Sequence, residues 1–516
     1  MNWTRRDFLT TGALSALSLP LLGGCQKNPE PVAATQEIIQ PTMVTNKPSY
    51  FETNFGVTPE MIDKVLAKTM SRGGSFGDLF FEHTRRGFVS MQDGKVSEAA
   101  SSVNLGMGAR CVNKDQVGYA YSESFELEDM LRAAEAASSI APAKESVEIQ
   151  SRHDIDFKRY YSQTFDWGAF EISRAVELVK KIEAQARVKS PDIVQVTVMI
   201  QWDQRNIMIN TSDGINAEDR QPILRLALSM VMKRDNVTQS NWEGIGSKGE
   251  FESITQDLID NLVDKTYLKT DNLFHAIKPK AGEWPVVLEA GDSGMMLHEA
   301  MGHGFEADYN RKGISIFSSK MNQKIASDEV TIGDSGIVDN SYAAYNIDDE
   351  GNVCEDTILI ENGTLRSYMY DRISAAYYKL SSTGNGRRQS YKFKPIPRMR
   401  VTYMKNGFHE KDELFDGIEY GIYCTDFTNG QVNIGQGDYT FYVKNGYLIE
   451  NGKVTTPIKD VNLIGNGPDT LSKIVMVAND FRYANKLSFC GKNDQRVPVD
   501  FGMPSVRVSS ITVGGI

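Results

Sequence analysis

The sequence predicts an α+β fold: a mixed α/β N-terminal domain over residues 55–280, then a β-rich C-terminal domain over residues 281–516 with one motif-bearing helix. Three observations lead there. In the first half, apolar residues at three- and four-residue spacings alternate with stretches of strand character. At Gly282 the texture changes: helical periodicity becomes scarce, and short strands punctuated by Asn-Gly pairs take over. The length of 516 residues gives ample volume for buried cores and suggests two or more domains.

Before the first domain come residues 1–24, read as an export signal. Thr4-Arg5-Arg6-Asp7-Phe8-Leu9 resembles a twin-arginine signal, and the apolar run from Leu9 to Leu22 is too short for a membrane span. Leu22-Gly23-Gly24-Cys25 resembles a lipobox, which predicts lipidation of Cys25 and a place on the periplasmic face of a bacterial membrane. The competing reading is a cytoplasmic protein with a chance apolar N-terminus. Residues 25–54, rich in Pro, Thr, Gln and Asn, read as a flexible tether.

Residues 58–70 read as a capped amphipathic helix, with Thr58 as N-cap and Pro59 at the first helical position. Asp78 to Thr84 and Gly87 to Gln92 read as paired strands, and Val103 to Cys111 has similar character. Helices are expected at 126–137, 167–188 and 256–269. Strands are expected at 194–201, 206–211 and 224–233, with Ser212-Asp213-Gly214 as a turn. Beyond Gly282, Trp284 to Glu289 is a short strand and Ser293 to about Phe305 is helical. Asn-Gly turns are read at 362, 406, 445 and 451; the segments flanking Asn445-Gly446 form the clearest hairpin candidate.

Composition narrows the function. A net charge of −11 with no large basic block argues against nucleic acid. Five cysteines without a CxxC pair do not form a disulfide framework, although Cys354 and Cys424 are candidates for pairing in an oxidising compartment.

His298-Glu299-Ala300-Met301-Gly302-His303 holds two of the six histidines. Neutral imidazoles bind zinc, and an adjacent carboxylate can take a proton from the attacking water. The second histidine stands at i+5, not the familiar i+4, and on a regular helix it would point ~140° away from the first. Either the helix ends or distorts between them, with Gly302 supplying the freedom, or the two histidines are incidental. A catalytic zinc site usually has three protein ligands. Cys490, in Phe489-Cys490-Gly491-Lys492, is the most suggestive third, with burial as a small hydrophobe the alternative.

Beyond the hexapeptide stand Asn310-Arg311-Lys312-Gly313, Ile347-Asp348-Asp349-Glu350-Gly351, Thr383-Gly384-Asn385-Gly386-Arg387-Arg388 and Cys490-Gly491-Lys492 through Thr512-Val513-Gly514-Gly515. With these segments in order, the chain from about residue 55 onward resembles the TldD/PmbA metallopeptidase family, and within it the metal-bearing subunit. The resemblance implies that His298, His303 and Cys490 ligate one zinc ion (Zn2+) per chain and that Glu299 is the general base. It further implies a peptide substrate and a dimer, with a PmbA-like partner subunit or a second copy, enclosing a chamber that admits unfolded peptides. The export signal departs from the cytoplasmic relatives.

The expected function is zinc-dependent hydrolysis of unfolded or short peptides, with the peptide bound as an added strand. Two alternatives are a maturation protease for one dedicated, modified peptide and a non-enzymatic metal-stabilised binding protein. Glu306 is a candidate to orient an imidazole, against a solvated acid. Asn385, Arg387 and Arg388 are candidates to contact substrate, against a structural turn.

Overall fold

A computed structural model describes residues 48–142 and 148–515 of the chain. Residues 1–24, read above as an export signal, and Cys25 lie outside the described residues. The stretch read as a tether ends in order: Tyr50–Phe55 is helical, Ser49 Oγ accepts the Glu52 amide at 2.9 Å, and Phe51 is buried against Phe81 and Phe125.

The fold is α+β. Its first half builds a seven-stranded sheet in the order Gln116–Ser122, Lys95–Asn113, Phe76–Gln92, Ile193–Thr211, Ile215–Arg234. Val237–Ser247 and His153–Asp154 both pair with the last of these. Helices Pro59–Met70 and Leu127–Ser138 bury Val65, Leu66, Met130 and Ala134 against Leu79, Phe81 and Met107. Helices Ile172–Arg187 and Gln256–His275 bury Val179, Ile182, Leu262 and Val263 against Val198, Ile200, Leu226 and Leu228. Each such side chain contributes about 1.5–3 kcal/mol on burial. Thr58 caps its helix, with Oγ1 accepting the Met61 amide at 3.4 Å.

Strands expected as separate pieces run on. Residues 78–84 and 87–92 belong to one strand, Phe76–Gln92, and do not pair with each other. Arg86 is not a turn residue because its Nε donates to Asp203 Oδ1 at 2.6 Å on the neighbouring strand. The turn comes at Asp93-Gly94, both with positive φ (49° and 76°). Residues 194–201 and 206–211 likewise merge into Ile193–Thr211, because Asp203, Gln204 and Arg205 are buried polar residues, not loop.

The second half holds two more seven-stranded sheets. One closes on itself as a ring of five strands: Tyr420–Val432, Gly282–Leu288, Val506–Gly515, Val461–Asn466 and Asp438–Glu450. The other runs from Thr364–Leu365 to Arg482–Tyr483 and includes Ile332–Ser335, Val401–Met404 and Gln495–Met503. Short helices Arg372–Tyr378 and Gly467–Ser472 accompany the motif helix, so it does not stand alone.

The hairpin expected at Asn445-Gly446 is absent; strand Asp438–Glu450 passes straight through. Asn445 is buried there, accepting from Asn241 Nδ2 at 2.8 Å and donating to the Lys269 carbonyl at 2.9 Å. The hairpin turn falls at Asn451-Gly452, where both residues have positive φ.

The two halves meet through buried charges. Arg110 reaches Glu350 at 2.7 Å, Arg205 reaches Asp349 at 3.2 Å, and Arg388 reaches Asp78 at 3.4 Å. Removing one partner of such a buried pair would cost about 3–5 kcal/mol.

Candidate active site

The motif helix, Gly294–Ala300, stops after two turns. Met301 leaves helical geometry (φ −131°, ψ −46°), and Gly302–Phe305 continues as a 3-10 turn. This break brings the His298 and His303 rings to a centroid distance of 5.3 Å, where an unbroken helix would splay them apart. Gly302 serves differently from expectation. Its φ is not in the left-handed region; a Cβ there would sit 2.0 Å from Met399 Sδ, so the position requires glycine for space.

Cys490 comes from strand Ser488–Lys492, paired antiparallel with Gln495–Met503 through a turn at Asn493-Asp494. Alternation along the strand buries Cys490 and Lys492 while Phe489 and Gly491 are exposed. A Cβ at Gly491 would meet nothing within 4 Å, so close backbone approach does not explain that glycine. Arg398 anchors the strand, donating from one terminal nitrogen to the Cys490 carbonyl at 2.7 Å.

His298, His303 and Cys490 are all buried, and their ligand atoms lie within 4.8 Å of one another. Cys490 Sγ is 3.2 Å from His303 Nε2. Burial alone would push the Cys490 thiol up, but His298 and His303 outweigh it and hold it well below the ordinary thiol range. Burial would likewise lower His303, yet Glu306 and Cys490 raise it well above the usual imidazole value. Neither ring nitrogen of His298 has a hydrogen-bond partner among the described residues. Leaving such a group unpaired costs about 1–3 kcal/mol. Two imidazoles and a thiolate form a donor set that suits zinc, and a bound ion would satisfy one of the two orphaned nitrogens.

Glu306 is fully buried, with Oε2 at 3.1 Å from His303 Nδ1 and 3.1 Å from Lys492 Nζ. Burial opposes its charge, but Lys492 and then His303 hold its carboxyl down at about 2. Lys492 also donates to Asp308 at 2.7 Å. Sequence reasoning had missed Lys492 and Arg398 as parts of this arrangement. For Lys492 a signal existed, since period-two alternation puts it on the same face as Cys490; Arg398 left none.

Glu299 is partly exposed, with Oε2 at 3.8 Å from His303 Nε2. It opens to two cavities. One, of about 200 Å3, is shared with His298, Trp242, Phe427, Lys444 and Phe489. The other, of about 340 Å3, is shared with His303, Tyr309, Gln431 and Gly491. Strands Tyr420–Val432 and Ser488–Lys492 border both.

Asn385, Arg387 and Arg388 line neither cavity. Asn385 donates to Asp334 at 2.8 Å and to the Arg398 carbonyl at 2.9 Å. Arg387 donates to Tyr345 and the Pro498 carbonyl, and Arg388 to the Asp349 carbonyl. All three are buried and engaged by protein groups, which is the structural-turn alternative; the substrate-contact alternative does not match this placement. Cys354 and Cys424 are free buried thiols, not a disulfide.

Comparison with known proteins agrees with the fold. Family models described as PmbA/TldA metallopeptidase domain 1, central domain and C-terminal domain match residues 77–141, 165–272 and 281–515. A metalloprotease TldD homolog of Buchnera aphidicola subsp. Schizaphis graminum is 34% identical over 448 residues, 85% of this chain and 92% of the relative. A zinc metalloprotease TldD homolog of Saccharolobus solfataricus is 28% identical, covering 88% of this chain and 99% of the relative. The crystal structure of TldE from Thermococcus kodakarensis superposes with a TM-score of 0.71 at 17% identity, over 88% of this chain and 100% of that one, and shows a shared fold. This chain therefore belongs to the PmbA/TldD metallopeptidase family.

Proposed function

We propose that the protein is a zinc-dependent peptidase that hydrolyses unfolded or short peptides, with His298, His303 and Cys490 holding the ion and Glu299 acting as general base. The observation that carries this reading is the meeting of three buried ligand atoms with a carboxylate that opens to cavities on both sides. A zinc ion supplies Lewis acidity at the scissile carbonyl and lowers the pKa of bound water from about 15.7 to about 7.

The chain's own residues do the rest. Glu299, partly exposed, takes a proton from the attacking water and passes it to the leaving amine nitrogen. Glu306 accepts from His303 Nδ1, which fixes the tautomer and leaves Nε2 free for the ion. Lys492 and Arg398 keep that carboxylate charged and in place. The substrate lies between strands Tyr420–Val432 and Ser488–Lys492 and crosses Glu299. Among the described residues, Ser488–Lys492 pairs only with Gln495–Met503, so its other edge is open to an added strand.

The zinc named for the Saccharolobus solfataricus relative and the TldE fold neighbour support the choice of metal and a PmbA- or TldE-like partner, respectively. Residues 1–24 remain our proposed export signal, with Cys25 as a lipid anchor on the periplasmic face. Hydrolysis of casein by the metal-loaded protein tests the reading. Activity is expected in the wild type and not in Glu299→Gln, with equal zinc in both. A zinc-free, inactive wild type would sink it.

A further inference from the structure

Beside His298, Glu243, Asp426 and Lys486 line the cavity as part of a largely buried ion cluster. Lys269 pairs with Glu243 and with Asp426 at 2.9 Å, and Lys486 pairs with Asp292 at 2.7 Å and Asp426 at 2.8 Å. Lys265 completes it at 3.3 Å from Glu243. Three lysines thus neutralise three carboxylates, and the cluster itself has no charge left for a ligand.

Lys444 lines the same cavity and stands outside this balance. It is half-buried, and no ion pair or hydrogen bond engages its ammonium among the described residues. Burial and the nearby Lys269 disfavour its charge, only partly offset by Asp426. An unpaired ammonium in a partly desolvated cavity is poised for an anion, because a charge-assisted hydrogen bond there is about twice as strong as a neutral one. The same cavity also has an apolar and aromatic lining. Trp242 and Phe489, 45% and 44% exposed, line it together with Met295, Val499 and Phe501. Large exposed aromatics at a cavity rim are a common mark of ligand contact.

We infer that the cavity on the His298 side is a carboxylate subsite: Lys444 receives a substrate carboxylate while the Trp242–Phe489 wall receives an adjoining apolar side chain. This deepens the peptidase reading and rests on it. The carboxylate can come from the peptide's C-terminus or from an Asp or Glu side chain, because the chemistry is the same.

Binding by the metal-loaded Glu299→Gln protein separates these sources and does not depend on turnover. Three fluorescent peptides share one apolar core: one ends in a free acid, one in an amide, and one in an amide with an internal Asp. We expect the free acid or the Asp peptide to bind about tenfold more tightly than the neutral amide. Adding Lys444→Met should erase that difference and Lys444→Arg should keep it, with zinc content confirming that each variant is folded. Preference for the free acid alone assigns the C-terminus; preference for the Asp peptide assigns a side chain. Equal binding of all three peptides, or a preference that survives Lys444→Met, overturns the subsite. If the wild type still cleaves the neutral amide, only the subsite falls; if it cleaves none of the three and no casein, the peptidase reading falls as well.

Discussion

Cys490 Sγ and His303 Nε2, separated by 187 residues in sequence, lie 3.2 Å apart, and each alters the other's protonation: the thiol is held down and the ring held up. Without a metal ion both shifts favour the charged forms of the pair. In the proposed site a zinc ion would take the place of the proton, since thiol and imidazole bind metal in their deprotonated forms. His298→Ala and Cys490→Ser should therefore each lose most bound zinc, measured by elemental analysis of the purified proteins. Zinc content equal to wild type in both variants would remove these residues from the site.

Glu299→Gln separates binding from chemistry. It keeps the shape of the side chain but cannot take a proton, so zinc should stay near one per chain while the hydrolysis rate falls by about 10²–10⁴. A single-turnover assay on an unstructured peptide measures this. Unchanged turnover would show that another group serves as base.

Glu306 acts through His303. Glu306→Gln keeps the volume but weakens the acceptor for His303 Nδ1, leaves Arg398 without its buried counter-charge and leaves Lys492 with Asp308 alone. Competition with a chelator should show zinc affinity reduced by about 10–100-fold, with the pH profile of the residual activity displaced. Because the carboxyl is held down at about 2, its contribution to stability is present above about pH 4.5 and is lost as pH falls toward 2. The variant should accordingly lose part of the wild type's acid-induced destabilisation. An affinity equal to wild type would reduce Glu306 to a buried ion-pair partner.

Asp500 points the other way. Burial raises its carboxyl to about 7, opposed by hydrogen bonds from the Phe501 amide and Ser341. A carboxyl raised on folding contributes stability that is complete below about pH 4 and is lost as pH rises through 7. Asp500→Asn should therefore gain on the wild type by on the order of 1–2 kcal/mol between pH 4.5 and 7.5, read by chemical denaturation. A constant difference across that range would mean that Asp500 titrates normally.

How much of this was legible depended on whether the signal was local. The i+5 spacing of His298 and His303 left a helix break or incidental histidines as the alternatives, because side-chain direction on a helix follows from sequence distance alone, and the helix breaks at Met301. The cap at Thr58 was legible for the same reason. Asn445-Gly446 misled, because what decides its conformation is burial against Asn241 and Lys269, far away in sequence. Arg387 and Arg388 left their roles open in the same way. Their partners, Tyr345, Pro498 and Asp349, are brought up only by the assembled sheets. Long strands were cut short wherever buried polar residues such as Asp203 and Arg205 interrupted an apolar pattern.

Gly302 offers the most direct test of why the motif holds its shape. A Cβ at that position would fall 2.0 Å from Met399 Sδ, well inside contact distance, while the backbone itself needs no positive φ. Gly302→Ala should destabilise the protein by about 1–3 kcal/mol through overpacking and should reduce zinc content by moving His303. The clash is with one side chain, so Met399→Ala, which withdraws the sulfur, should restore zinc when combined with Gly302→Ala. Met399→Ala alone should leave a cavity that costs about 2–5 kcal/mol, part of which the added methyl refills in the double variant. The double variant should thus be more stable than the sum of the single changes, with a coupling of about 0.5–3 kcal/mol. Strict additivity would mean that glycine is required at position 302 for backbone freedom and not for space.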